Sequence, residues 1–201
     1  MKLGTVWKYY FTESLLKATI RTPSQFNLAP NALRPLLDQL CRLFPQNPTV
    51  QIRPLRLAGV RGEEIKAKAS ATQLIFHIHG GAFFLGSLNS HRALMTDIAA
   101  RTQMQVIHVD YPLAPEASPQ LLIKSCEDAL AWVYQNRRQL KIYKNRIAVA
   151  GDSAGGNIST VVAQHAAGKS YAPQAQLLIY PVVDFKSRHP SFYAYGQGLV
   201  L

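Results

Sequence analysis

"AVAGDSAGGN", residues 148 to 157, decides how this chain is read. Small apolar residues run into Gly151-Asp152-Ser153-Ala154-Gly155-Gly156. Such a sequence leaves a strand, turns sharply at a serine and enters a helix. Glycine two positions to either side of Ser153 has a steric reason. A side chain at either place would collide with the strand or the helix. A serine lifted out of the backbone in this way is a candidate nucleophile, with Asp152 beside it as a supporting residue.

The surrounding segments fit that turn into a layered fold. Upstream, "LIFHIHG" (74–80) and "QVIHVDY" (105–111) are short, mostly apolar runs, expected as buried strands. "SHRALMTDIAARTQ" (90–103) between them has helical spacing. "PQLLIKSCEDALAWVYQNRRQL" (119–140) is a long amphipathic helix, with basic residues in its last turns suiting the helix dipole. "RIAVAG" (146–151) leads into the elbow and "AGGNISTVVAQHAA" (154–167) follows it. "QAQLLIYPVVD" (174–184) reads as one more buried strand ending at Asp184. Strand and helix in alternation imply an α/β fold, a mostly parallel sheet with helices on both faces. Before residue 73 the pattern differs. "TVQIRPLRLAG" (49–59) and "EEIKAKA" (63–69) are expected as two strands with an exposed side around an Arg61-Gly62 turn. "YYFTESLLKATI" (9–20) and "PNALRPLLDQLCRLF" (30–44) carry helical spacing. The chain is thus read as an N-terminal helical cap segment, 1–50, and an α/β core, 51–201.

Composition narrows the function classes. The 201 residues are 48% hydrophobic and 16% charged, ordinary for a globular chain. The net charge of +11 is scattered, with no basic run longer than Arg137-Arg138 and no interleaved aromatics, so nucleic acid is not expected as a partner. No apolar run is long enough for a membrane span. Lys8, Glu13 and Lys17 break up the N-terminal stretch, which argues against a secretory leader and for the cytoplasm. Cys41 and Cys126 make neither a disulfide framework nor a zinc set. No metal site and no cofactor are implied.

Two further motifs bear on chemistry. "HIHGGAFFLGS" (77–87) sets His79-Gly80-Gly81-Ala82 directly after a strand. Acyl transfer puts negative charge on a carbonyl oxygen, and backbone N–H groups held facing it lower the barrier. The expected donors are Gly80, Gly81 and Ala82, with Ala154 after the serine, and His79 is expected to brace the loop. His77 and His108, inside apolar strands, are expected as hydrogen-bonded core residues. "VDYPLAPEASPQ" (109–120) is a proline-stiffened loop, from which Glu116 is expected to brace the floor of the site.

Together, His79 to Phe83, Asp110-Tyr111-Pro112-Leu113-Ala114-Pro115-Glu116 and Gly151 to Asn157 resemble the hormone-sensitive-lipase-like family of α/β-hydrolases. The resemblance covers roughly residues 50 to 201. It implies an α/β-hydrolase fold and hydrolysis of small carboxylic esters, of short acyl chain, through an acyl-enzyme on Ser153. Two positions depart from the family pattern: Ala82 replaces the third glycine of the loop, and Pro112 stands where arginine is usual.

In this fold the acid and the histidine of the triad follow the serine in sequence. After Ser153 there is no glutamate, one aspartate, Asp184, and two histidines, His165 and His189. The chain is expected to stop short of the family's acid and base. His165, twelve residues into the elbow helix, is expected at the surface. Two alternatives stay open: a small hydrolase using Asp184 and His189, and a non-catalytic binding remnant. The strand ending the sheet is also expected to present an edge open to self-association.

Overall fold

The computed structural model of the chain describes residues 30–67, 71–143, 146–186, 189, 190 and 193. Contacts divide the chain into two compact units, residues 38–183 and residues 1–37 with 184–201. The helix expected over residues 9–20 lies outside the described residues. The next one is present as α1, Pro30–Cys41, crossing the boundary between the units with Pro35 inside it.

The larger unit carries the sheet. Its elements run β1 (Gln51–Leu57), β2 (Val60–Lys66), β3 (Leu74–Ile78), α2 (Leu88–Thr102), β4 (Gln105–Asp110), α3 (Pro119–Gln135), β5 (Ile147–Asp152), α4 (Ser153–Ala166) and β6 (Ala175–Ile179). The spatial order is β1-β2-β4-β3-β5-β6. β3 is parallel to β4 and β5, and β6 to β5, whereas β1–β2 and β2–β4 are antiparallel. The mostly parallel sheet read from the sequence is therefore what forms.

Strand alternation sorts side chains to two faces. Leu74, Phe76, Ile78, Ile107, Val109 and Val149 pack with Leu122, Cys126 and Leu130 of α3 and Ile158 and Val162 of α4. Ile75, Val106 and Ala150 pack with Met95 and Ala99 of α2 on the other face. Helices thus cover both faces. The α2 side has a small apolar cluster because polar residues share it, and there the site's support is built.

Four expectations need correction. The β1–β2 turn is at Ala58-Gly59, both at positive φ (50° and 92°), as a two-residue hairpin loop requires. Gly62 instead lies within β2, where a Cβ would come 2.8 Å from the His108 carbonyl oxygen. Of the two strands only β1 is largely exposed, for β2 is buried from Gly62 to Ile65 under α2. Third, α3 ends at Gln135 with Asn136 as its C-cap, so Arg137 and Arg138 lie beyond the last turn. Finally, β6 is not buried and does not reach Asp184. It occupies the sheet edge, stops at Ile179 and is exposed from Ala175 to Leu178.

Candidate active site

β5 delivers the elbow. Its last residue, Asp152, is extended, and Ser153 then takes a left-handed φ of 51° as the first residue of α4. That conformation is costly for a non-glycine residue and persists only where neighbours hold it. The glycines let the neighbours close in. A Cβ on Gly151 would overlap the carbonyl of Gly155, and one on Gly155 would overlap the carbonyls of Ile78 and His79. The steric reading of the motif is thus realised, with one addition. Gly155 is needed for the strand before the His79–Ala82 loop as much as for its own helix.

That loop leaves β3 at Ile78, so His79 lies just past the strand. Gly81 has a φ of 126°, and Ala82 and Phe83 follow at 51° and 68°. Three successive positive φ values throw the backbone outward, and hydrogen bonds hold it there. Phe84 and Leu85 donate to Gly81 O at 3.1 and 2.7 Å, and Ala114 donates to Phe83 O at 3.0 Å, tying the loop to the segment after β4. Tyr111 Oη donates to His79 O at 2.8 Å, and its ring stacks on His79 at 4.5 Å. His79 is buried, with Nδ1 2.8 Å from Gly80 O, a bracing position.

Asp152 is the pivot. It holds the N-cap position of α4, yet its side chain makes no cap hydrogen bond. Instead Oδ1 accepts from Gly80 N–H at 3.0 Å, and Oδ2 faces His91 Nε2 at 3.3 Å. Gly80 was expected among the oxyanion donors. Its N–H is spent on Asp152, which leaves Gly81, Ala82 and Ala154 as the candidates. Turning the Asp152 carboxylate away also leaves the first-turn N–H groups of α4 without a side-chain cap beside Ser153.

A buried polar row lies behind the pivot. Strand register sets Glu63 opposite His108 and His108 opposite His77. His108 Nε2–H donates to Glu63 Oε2 at 3.0 Å, and Arg92 of α2 grips the same carboxylate at 2.5 and 2.9 Å. Burial alone would raise Glu63, but these hydrogen bonds outweigh it and hold the carboxyl at about 2. The two core histidines differ from each other. His108 has its partner, whereas neither ring nitrogen of His77 makes a hydrogen bond, its Nε2 standing 3.4 Å from Asp152 Oδ1. Burial pushes His77 down to about 4 and His79 to about 3, and it lowers His108 as well. Burial opposes the charge on Asp152, yet His77 and His91 outweigh it and keep that carboxyl below the usual range.

The remaining candidates are more scattered. Glu116 is exposed in the turn before α3. His165 is half exposed and pairs with Glu127 of α3. Asp184 and His189 belong to the smaller unit, where Asp184 Oδ1 accepts the Lys186 N–H at 2.8 Å. Sequence reading missed His91 and Arg92 entirely. Both sit on α2, and only the folded sheet brings them to carboxylates.

Known proteins resemble this chain in sequence and in fold. An esterase of Acinetobacter venetianus is 67% identical over 186 residues, covering 92% of this chain and 60% of that protein. An ethyl acetate hydrolase of Pseudomonas putida is 37% identical over 135 residues, covering 66% of this chain and 42% of that one. Among solved structures, the thermostable carboxylesterase EstE1 from a metagenomic library superposes with a TM-score of 0.77 at 30% identity, over 86% of this chain and 62% of that one. The chain spans three fifths or less of the length of these curated relatives. Residues 75–201, from β3 through the loop, the elbow and β6, match the family described as alpha/beta hydrolase fold. With the strand order, the elbow and that match in agreement, the chain belongs to the alpha/beta hydrolase fold family.

Proposed function

We propose that the chain is the nucleophile-bearing part of a carboxylic ester hydrolase acting on small esters of short acyl chain. The observation that carries this reading is the elbow. Ser153 stands at a left-handed φ at the start of α4, and the N-cap carboxylate is turned away from the helix end. In this reading Ser153 Oγ attacks the ester carbonyl and loses its proton to a base. Gly81, Ala82 and Ala154 N–H groups face the oxygen that becomes negative, each such donor contributing about 3 kcal/mol. The alcohol departs, and water releases the acid from the acyl-serine. The names of the relatives support ester chemistry, and the free thiols of Cys41 and Cys126 suit a reducing, cytoplasmic setting. The exposed length of β6 supports self-association along that edge.

Asp184 and His189 are the candidates for acid and base that follow Ser153 in the sequence. Hydrolysis of p-nitrophenyl butyrate by wild type, Ser153→Ala and His189→Ala tests the reading. Turnover that both substitutions abolish supports a triad within the chain. Turnover lost only in Ser153→Ala supports the nucleophile and removes His189 as base. Wild type no faster than Ser153→Ala refutes ester hydrolysis by this chain and leaves the binding reading.

A further inference from the structure

We propose that His91 is a positioning residue that locks the oxyanion loop to the nucleophile elbow, acting through Asp152 and His79. The proposal builds on the ester-hydrolase reading but is tested separately from it. His91 touches both halves of the site. Its Nε2 lies 3.3 Å from Asp152 Oδ2, and its ring stacks on His79 at 5.4 Å between centroids, nearly parallel at 30°. His79 in turn stacks on Tyr111. Tyr111, His79 and His91 therefore form a continuous pile of rings from the end of β4 through the first residue of the loop to α2.

Donor and acceptor roles follow from chemistry. An ionised carboxylate only accepts, so His91 Nε2 carries the proton and donates it. With Oδ2 held by His91, Oδ1 is directed at the Gly80 N–H. Asp152 could otherwise rotate to cap α4, as an aspartate at that position usually does. Gly80 would then lose its acceptor, and the α4 N–H groups next to Ser153 would gain a competing anion. His91 thus decides which way the Asp152 carboxylate points. The other polar neighbours do not hold Oδ2: His77 Nε2 stands 3.4 Å from Oδ1, the oxygen that accepts from Gly80, and Arg92 is committed to Glu63 and Asn89. His91 is itself fixed by Ser90, whose Oγ lies 2.8 Å from Nδ1 within the α2 capping box. Gly80 and Asp152 are in close contact, since a Cβ on Gly80 would come 2.7 Å from Asp152 O and nearer still to the carboxylate.

The test compares wild type, His91→Phe, which keeps a ring and removes the donor, and His91→Gln, which keeps an N–H donor. Leu94→Ala, at an exposed position of α2, is the control. Amide exchange at Gly80 is read by NMR or mass spectrometry, beside p-nitrophenyl butyrate kinetics. In His91→Phe, exchange at Gly80 should rise at least about tenfold while Ile107 in β4 stays protected. In His91→Gln the protection should largely return. Where the chain turns over ester, kcat should fall about tenfold in His91→Phe with KM little changed, because the donors act on the transition state. Gly80 exchange unchanged in His91→Phe overturns the proposal. So does protection lost equally across β3 and β4 in both variants, which would make His91 a packing residue. Failure of the ester reading shows up elsewhere, as equal rates in wild type and Ser153→Ala, and leaves the exchange result standing.

Discussion

Mild acid should destabilise this protein through its buried histidines. His77, His79 and His108 are all buried, and each is held below its ordinary value, His77 at about 4 and His79 at about 3. The unfolded chain takes up these protons near pH 6.5. Between the two values the unfolded state binds more protons than the native state, so stability falls as pH falls. Going from pH 7 to 5.5, a histidine that stays neutral when folded costs about 1.3 kcal/mol. His77 and His79 together cost about 2.5 kcal/mol, and His108, shifted the same way, adds to the loss. Glu63 and Asp152 are silent over this interval, being ionised in both states. A domain has only about 5–15 kcal/mol to lose. Urea unfolding followed by circular dichroism at the two pH values reads the effect. With a slope near 2 kcal/mol per molar, the midpoint should drop by about 1–2 M. His77→Leu should remove about 1.3 kcal/mol of that loss, since leucine takes up no proton in either state. Midpoints within about 0.3 M of each other at the two pH values would refute the claim that these rings stay neutral in the fold.

Two glycines should respond very differently to alanine. Gly155→Ala drives a Cβ into the Ile78 and His79 carbonyls and should cost more than about 3 kcal/mol, whereas Gly59→Ala, at a φ of 92° in open space, should cost only about 1–2 kcal/mol of backbone strain. Equal shifts of the melting temperature would refute the close packing of loop against elbow. Arg92→Ala leaves Glu63 buried with His108 as its remaining partner among the hydrogen bonds described, and should destabilise the fold by about 2–4 kcal/mol at pH 7, with Arg92→Lys recovering only part of it. Calorimetry of the three forms checks that order.

What was legible in the sequence was local. Short, mostly apolar runs in "LIFHIHG" and "QVIHVDY" mark β3 and β4 as buried strands, and the glycines around Ser153 encode a turn whose sterics span only a few residues. What was not legible depends on closure. His91 meets Asp152 across 61 residues, and Gly80 meets it across 72. No local pattern tells that an N-cap aspartate will ignore its own helix. β6 shows a related limit. Its apolar run implies a need for cover, and burial was inferred from the need, yet Leu177 and Leu178 are exposed at the edge of the described sheet. Gly59 and Gly62 show a third. Both lie near the β1–β2 turn, and only pairing reveals that one makes the turn while the other admits Leu57 and the His108 carbonyl.

The strained backbone and the polar layer belong together. Gly81, Ala82, Phe83 and Ser153 all hold positive φ, and three of them carry side chains that disfavour it. Each such residue costs about 1–3 kcal/mol, so relaxation is downhill unless neighbours forbid it. An apolar contact alone would let the loop slide, because dispersion is not directional. Hydrogen bonds fix direction as well as distance. The loop is accordingly tied by hydrogen bonds along its length: Gly80 N–H to Asp152, Gly81 O from Leu85, Phe83 O from Ala114 and His79 O from Tyr111. The acceptor in the first of these bonds is an anion inside the protein, which must itself be held in direction. His91 meets that requirement, and the polar face of the sheet under α2 is where such a residue can be seated.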